Sequence, residues 1–265
     1  MIDVIIPAYN CSQTLNRTLA SLVAQLDQDF KVIVVDDCST EDITPIINDY
    51  DDKLQLKYIY KTENQGCGMA RQTGIDNATS SHLIFLDSDD VLMPYATETF
   101  NTLISINPQA ELGITHFYEQ VISKEGYPVY ITHKNSYGWC HGKLYSTNAI
   151  KRFGIRNDPA FKWADDRYFN SICCELFKTV SVPLPTYIWT NTTTSVMRKE
   201  DAVRDKEKHK DALLALIASC DFVSKYKSEI VHLPATIKSY EKCIQPNSKE
   251  WELLQRLRSY QTNNT

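Results

Sequence analysis

Three short stretches carry the side chains best suited to chemistry, and each directly follows an apolar run. Asp87-Ser88-Asp89-Asp90 follows His82–Leu86, Asp36-Asp37-Cys38-Ser39 follows Phe30–Val35, and Pro7-Ala8-Tyr9-Asn10 closes Val4–Pro7. A single Asp-Asp pair after an apolar run reads as a helix cap or a turn. Three such clusters in one chain ask for more. Asp87, Asp89 and Asp90 crowd three carboxylates into four residues, which repel one another unless a cation neutralises them. Hard oxygen ligands of this kind suit Mg²⁺ or Mn²⁺. The bland alternative is a capping cluster for a helix beginning near Pro94.

The elements that must position these residues alternate. Val4–Pro7 reads as a strand, Thr14–Leu26 as a helix with Leu15, Leu19, Leu22, Val23 and Leu26 on one face, and Phe30–Val35 as a strand buried on both faces. Glu41–Tyr50 reads as a helix, Leu54–Tyr60 as a strand, Met69–Ala78 as a helix and His82–Leu86 as a strand. This order predicts an α/β fold with a mostly parallel central sheet flanked by helices. In such a sheet ligands collect at the carboxyl ends of the strands, where all three polar clusters fall. Beyond, Tyr95–Ile106, Thr147–Phe153 and Asp166–Phe177 are expected as helices, and Leu112–Phe117, Val129–Thr132 and Tyr187–Thr190 as strands. A mixed-sign charged run from Arg198 to Lys210 reads as a solvated helix face, and Ala212–Tyr226 and Lys249–Tyr260 have helical periodicity. The expected division is 1–198 as one α/β domain and 199–265 as a helical C-terminal appendage.

Composition narrows the classes. The 265 residues are 43% hydrophobic and 23% charged, the balance of a globular chain. A formal net charge of −5 provides no bulk field for nucleic acid or anionic lipid, although lysines and arginines in 198–210 and 225–227 offer a local patch. The N-terminus has no basic, long apolar leader, and no stretch approaches a membrane span. The eight cysteines contain no C-x-x-C pair and read as reduced thiols, so the expected compartment is the cytoplasm. Gly66-Cys67-Gly68 lacks the third glycine of a dinucleotide fingerprint.

Taken together and in order, four segments carry a resemblance. Val4-Ile5-Ile6-Pro7-Ala8-Tyr9-Asn10, Val34-Val35-Asp36-Asp37-Cys38-Ser39-Thr40, Asn64-Gln65-Gly66 with Ala70-Arg71-Gln72-Thr73-Gly74-Ile75, and Phe85-Leu86-Asp87-Ser88-Asp89-Asp90 resemble an inverting family 2 glycosyltransferase with the A-type nucleotide-sugar fold. The likeness is strongest over residues 2–95 and fades after 200. It implies a UDP-sugar donor, with Pro7 and Tyr9 framing the nucleobase, Tyr9 beside the uracil, and Asp37 or Asp36 accepting a hydrogen bond from base or ribose. Arg71 would contact the nucleotide, since a guanidinium suits phosphate oxygens. Asp87 would touch ribose or metal, Ser88 would lie against the nucleotide sugar, and Asp89 would ligate Mn²⁺ or Mg²⁺. Gln72 stands where the family usually has Asn.

Two later segments extend the likeness. Trp163-Ala164-Asp165-Asp166-Arg167-Tyr168-Phe169 resembles the family's E-D-x-x-F element, which makes Asp166, with Asp165 beside it, the expected general base; a helix N-cap with an acidic first turn also fits the spacing. His141-Gly142-Lys143-Leu144-Tyr145 resembles a G-K-L-Y element, with His141 contacting diphosphate or acceptor or serving structure. Trp139 and Trp163 are either sugar-stacking or core aromatics. Trp189 to Arg198 resembles the terminal element but lacks its histidine, leaving Asn191, Thr192 or water to complete a metal site. The implied acceptor is a hydroxyl on a saccharide or cell-surface glycan. A modified DNA base and a nucleotide-binding pseudoenzyme are the alternatives, and the C-terminal helices are candidates for a homo-oligomer contact.

Overall fold

The computed structural model describes residues 1–134, 138–190, 202–227, 230–231, 237, 240, 244 and 248–262. One sheet organises them, in the strand order β3-β2-β1-β4-β8-β6-β9-β5, with β7 paired to β6. The N-terminal half is parallel. β1 (Ile2–Ala8) lies between β2 (Phe30–Asp36) and β4 (His82–Phe85), and β3 (Leu56–Tyr60) extends β2 outward. All seven residues of β1 are buried, which is why Val4–Ala8 reads as an unbroken apolar run, while the buried Asp3 accepts from Thr79 N and Ser80 N at 2.7 Å each. Alternate residues serve opposite faces. Ile5, Ile33 and Val35 pack with α3 (Cys67–Asn77), α5 (Thr147–Phe153) and α6 (Asp165–Leu176); Val4, Ile6, Val32 and Val34 pack with α1 (Leu15–Val23), α2 (Thr44–Asn48) and α4 (Ala96–Ile106).

Since the chain runs from β1 to β2 and β3 on one side and to β4 on the other, the strand order reverses at β1, which opens a crevice at the carboxyl ends. Pro7 tolerates its central strand because of this reversal. Ile5 O accepts from Leu86 N and Ala8 O from Asp37 N, so odd residues of β1 face β4. The pairing of β1 with β4 ends at Ile5–Phe85, and the absent N–H of Pro7 points beyond it.

The second half of the sheet is mixed. β8 (Lys143–Ser146) runs antiparallel to β4 and to β6 (Leu112–Ile122), β6 is parallel to β9 (Thr179–Thr190), and β7 (Pro128–His133) closes a hairpin on β6. β5 (Val91–Leu92) is a two-residue antiparallel partner of β9. Neither β5 nor β8 is expected from periodicity, β6 is about twice its expected length and β9 three times. The helix expected over Glu41–Tyr50 is only Thr44–Asn48: Asp42 Oδ1 accepts from Thr44 N at 2.9 Å and Pro45 opens the first turn, so the residues before them form a turn.

After residue 200, α7 (Ala202–Val223) packs on α6, and α8 (Lys249–Thr262) packs on α7. Leu213, Leu216, Leu254 and Leu257 share one buried cluster with Ile5 and Phe169, so these helices continue the core on the face of α6. Residues 191–201 lie outside the described ones, and with them Asn191, Thr192 and the start of the charged run. No described helix is long and apolar enough to cross a membrane. Among the described residues, seven cysteines are free thiols.

Candidate active site

The loop after β4 is built by elements far from it in sequence. From α1, Thr18 Oγ1 donates to Ser88 O at 3.0 Å and to Asp90 O at 2.8 Å, and the Arg17 guanidinium donates to Asp89 O. From β9, Tyr187 Oη donates to Asp90 Oδ2 at 2.6 Å and accepts from Asp87 N at 3.2 Å, while Thr190 N donates to Asp90 Oδ1 at 2.7 Å. The Asp90 carboxylate thereby ties the loop to the sheet, a duty sequence reasoning missed. Its partners lie about a hundred residues downstream, and an acidic run gives no sign of which member is the strut.

Arg71 projects from α3 into this loop. Its Nη2 donates to Asp87 Oδ1 at 2.7 Å and its Nη1 to Asp165 Oδ2 at 2.6 Å, with the guanidinium buried. One side chain thus links the loop after β4 to the first turn of α6. Glycine makes the approach possible, for a Cβ on Gly68 would fall 2.6 Å from the Asp165 Cβ. The N-terminus of α6 has no side-chain cap of its own. Instead Asp211 of α7 accepts from Trp163 N at 2.6 Å and Ala164 N at 3.0 Å. No sequence signal marks Asp211. Gln72, the departure from the family's Asn, is buried and accepts from Asn157 N at 2.8 Å.

Asp165 and Asp166 are adjacent but differently held. Asp165 is spent on Arg71. Among the described residues, Asp166 Oδ1 accepts only from the neighbouring Arg167 N, at 2.7 Å. Burial, reinforced by the charge of Asp165, pushes the Asp166 carboxyl up to about 7. Burial also works against ionisation of Asp87, but the Arg71 guanidinium and His141 hold its carboxyl well below the usual range. Burial and the charge of Asp87 raise Asp89 to about 6; burial and the charges of Asp89 and Asp87 raise Asp90 well above an ordinary carboxyl.

His141, just ahead of β8, is buried with Nε2 3.8 Å from Asp87 Oδ2. It stacks on Tyr187 at 4.7 Å and on Trp139 and Trp189 at 5.9 Å each. Burial lowers its pKa against the pull of Asp87, so near pH 7 the imidazole is neutral and has a nitrogen lone pair to offer. Ligand atoms of Asp87, Asp90 and His141 lie within 4.8 Å of one another, the group of this kind found among the described residues. The Asp89 carboxylate is next to this group in sequence but is not part of it.

At the far end of the crevice, Asp36 and Asp37 are buried and already engaged. Asp36 accepts from Ser39 N at 2.8 Å and Tyr58 Oη at 2.9 Å. Asp37 pairs with Lys61 and accepts from Gln65 N at 3.0 Å and Gly66 N at 2.6 Å. It therefore holds the turn into α3, whose Gly66 has φ +88°, a conformation that favours glycine. Tyr9, half exposed, and Pro7 stand at the carboxyl end of β1, and Ser88 lies in the loop after β4, its carbonyl held by Thr18. The structure thus gathers Arg71, Asp87, His141 and Asp165 in one contact network, with Asp166 next to it, and leaves Tyr9, Asp36 and Asp37 along the β1–β2 edge of the crevice.

Comparison with known proteins gives the family and the fold. Residues 3–153, more than half of the chain, match the family model described as glycosyl transferase family 2. The glycosyltransferase GlyA of Streptococcus pneumoniae is 27% identical over 160 residues, which are 58% of this chain and 23% of that protein. The poly(ribitol-phosphate) beta-N-acetylglucosaminyltransferase TarS of Staphylococcus aureus is 30% identical over 181 residues, 63% of this chain and 31% of TarS. The matches therefore span less than a third of either relative. The crystal structure of TarS residues 1–349 with UDP-GlcNAc superimposes with a TM-score of 0.72 at 18% identity, covering 99% of this chain and 88% of the other. The mannosyltransferase PcManGT of Pyrobaculum calidifontis, in complex with GDP-Man and Mn²⁺, superimposes with a TM-score of 0.58 at 14% identity, covering 99% and 86%. These structures share the fold. The chain belongs to glycosyl transferase family 2.

Proposed function

We propose that this chain is a metal-dependent inverting glycosyltransferase that moves a sugar from a UDP-sugar to an acceptor hydroxyl. The observation that carries the reading is the Arg71 bridge, which joins the loop bearing Asp87 to the helix bearing Asp166. Transfer needs both in one place, because a departing nucleoside diphosphate must be neutralised while a hydroxyl opposite it loses its proton. UDP as the nucleotide is supported by the UDP-GlcNAc bound to the structural neighbour TarS and by the placement of Pro7 and Tyr9 at the end of β1.

The donor set fits a divalent cation. Two carboxylates and a neutral imidazole converge, and Asp90, crowded by Asp87 and Asp89, resists ionisation without a counter-charge. Asp87, Asp90 and His141 would hold Mn²⁺ or Mg²⁺, with Asp89 adjacent as the ligand the family motif implies. A cation bound there neutralises charge on the leaving diphosphate. Arg71 adds a fixed positive charge beside Asp87. Asp166 acts as the base: Oδ1 is steadied by Arg167 N, and Oδ2 takes the acceptor's proton as the hydroxyl attacks the anomeric carbon from the face opposite the leaving group. Asp165 cannot share this role while its Oδ2 is bound to Arg71, so it positions the helix end.

The test is a panel of UDP-sugars, each incubated with the protein and Mn²⁺ or with EDTA, with release of UDP measured. Slow hydrolysis of at least one donor, abolished by EDTA, is expected. Saturable UDP binding with no release from any donor would replace the enzyme by a binding module.

A further inference from the structure

Given the glycosyl transfer proposed above, we infer that Trp139, backed by Trp189, is a stacking platform for a pyranose ring of the acceptor, which makes the acceptor a saccharide. The inference starts from an anomaly of exposure. Residues 140–145 are all buried, yet Trp139 at the head of this segment is 37% exposed. The indole is held there by its surroundings. The buried Lys143 ammonium donates to the Trp139 carbonyl, and Asn170 Nδ2 donates to Cys140 Sγ at 3.2 Å. The Trp139 ring lies 5.9 Å from His141, nearly parallel at 16°, and 6.0 Å from Trp189 at 32°. Both rings are therefore oriented before any ligand arrives, and a large apolar face is left to solvent.

Its position supplies the rest. On one side, a Cβ at Gly138 would lie 3.6 Å from the Arg167 guanidinium, so the segment passes beside the residue that follows Asp166. On the other, Trp139 contacts His141, which is 3.8 Å from Asp87. The platform thus stands between the helix that bears Asp166 and the loop assigned to the leaving group, beside the region an attacking hydroxyl must occupy. A ring carrying that hydroxyl would present its C–H face to the indole, and a rigid aromatic surface captures such a face at small entropic cost. A nucleic acid is disfavoured at the same place. The Asp87 carboxylate, 3.8 Å from His141, and the Glu119 carboxylate, 2.9 Å from His133, put negative charge beside these aromatics. An open-chain polyol has no ring face to offer.

The experiment follows the indole N–H resonances of the full chain with UDP and diamagnetic Mg²⁺ present, Trp139 being assigned from Trp139→Phe. The probes are methyl β-glucopyranoside, methyl β-galactopyranoside and methyl N-acetyl-β-glucosaminide, with ribitol and a thymidine oligonucleotide as comparators. At least one glycoside should shift the Trp139 resonance saturably at millimolar concentration, and ribitol and the oligonucleotide should not. The apparent Kd for that glycoside, read from the Trp189 resonance, should weaken roughly tenfold in Trp139→Ala and much less in Trp139→Phe. The inference is overturned if no glycoside moves the Trp139 signal, if ribitol or the oligonucleotide moves it equally, or if Trp139→Ala binds the glycoside as well as the parent. A parent protein that releases UDP from a donor but fails these tests loses the platform alone. One that neither binds UDP nor releases it loses the transferase reading, and the platform with it.

Discussion

At the scale of single residues, the acidic pair at the start of α6 shows what a sequence motif leaves open and what geometry adds. The spacing of Asp165 and Asp166 is legible in the chain, but it fits a helix cap as well as a base. The structure separates them by their partners. Asp165 is spent on the buried Arg71, whereas Asp166 keeps one oxygen available. Asp166→Asn is therefore expected to lower kcat about 100-fold or more while the Kd for UDP stays near that of the parent. With the Asp166 carboxyl at about 7, kcat/KM should rise with pH through that value, and the limb should vanish in the variant. The stability consequence has a definite sign. A carboxyl raised above its unfolded value opposes folding once the unfolded chain ionises it, so Asp166→Asn should unfold at a higher temperature than the parent at pH 8 and at a similar one below pH 4. Asp165→Asn should gain less, because it removes one of the two negative charges beside the buried Arg71 guanidinium while burial of the Asp165 carboxyl itself opposes ionisation. Thermal melts of both variants at the two pH values check this, and parent-like stability and activity in both would favour a cap, since Asn caps a helix nearly as well as Asp.

At the scale of elements, the β-α alternation of the first ninety residues is readable because β1, β2 and β4 are largely buried and apolar and α1 carries a clear apolar face. The second half is not, for physical reasons. β5 has two residues and exists because β9 pairs with it, and β8 is specified by its place between β4 and β6. The support of the site is equally hidden. Asp211 is ten residues into a helix of mixed charge, and nothing local distinguishes it from its neighbours, yet it binds two backbone N–H groups at the entrance to α6. Asp211→Ala should cost about 1–2 kcal/mol, as loss of a cap does, and should lower kcat through a misplaced Asp166 while UDP binding persists. Asp211→Asn, which retains an acceptor, should recover most of both. A second check uses the closest approach between α3 and α6. Gly68→Ala forces a Cβ to 2.6 Å from Asp165, and moving the helices apart should cost about 1–3 kcal/mol with a matching fall in kcat. Wild-type kinetics in Gly68→Ala would mean that the Arg71–Asp165 contact does not govern the base.

At the scale of the whole molecule, the site is a convergence of residues from 17 to 190 onto one loop, and its electrostatics bear on folding itself. Asp87, Asp89 and Asp90 are brought together with Arg71 among the charged groups, and burial already pushes two of the three carboxyls toward their protonated forms. A cation that binds the folded chain alone displaces those protons and stabilises the fold, by about 2.7 kcal/mol at a hundred times its Kd. Mn²⁺ should therefore raise the melting temperature, more at pH 8 than at pH 5, since protonated carboxyls do not ligate. Two variants then decide which residues form the cradle. Asp90 binds Tyr187 Oη and Thr190 N, so Asp90→Asn should lower the melting temperature without metal and also remove most of the Mn²⁺ response. The Asp89 carboxylate lies outside the group formed by Asp87, Asp90 and His141, so Asp89→Asn should keep the metal-free melting temperature and much of the response. The family motif alone predicts the reverse for the second variant. Loss of the Mn²⁺ response in Asp89→Asn, with retention in Asp90→Asn, would assign the cation to the Asp87–Asp89 pair and leave Asp90 as a strut between the loop and β9.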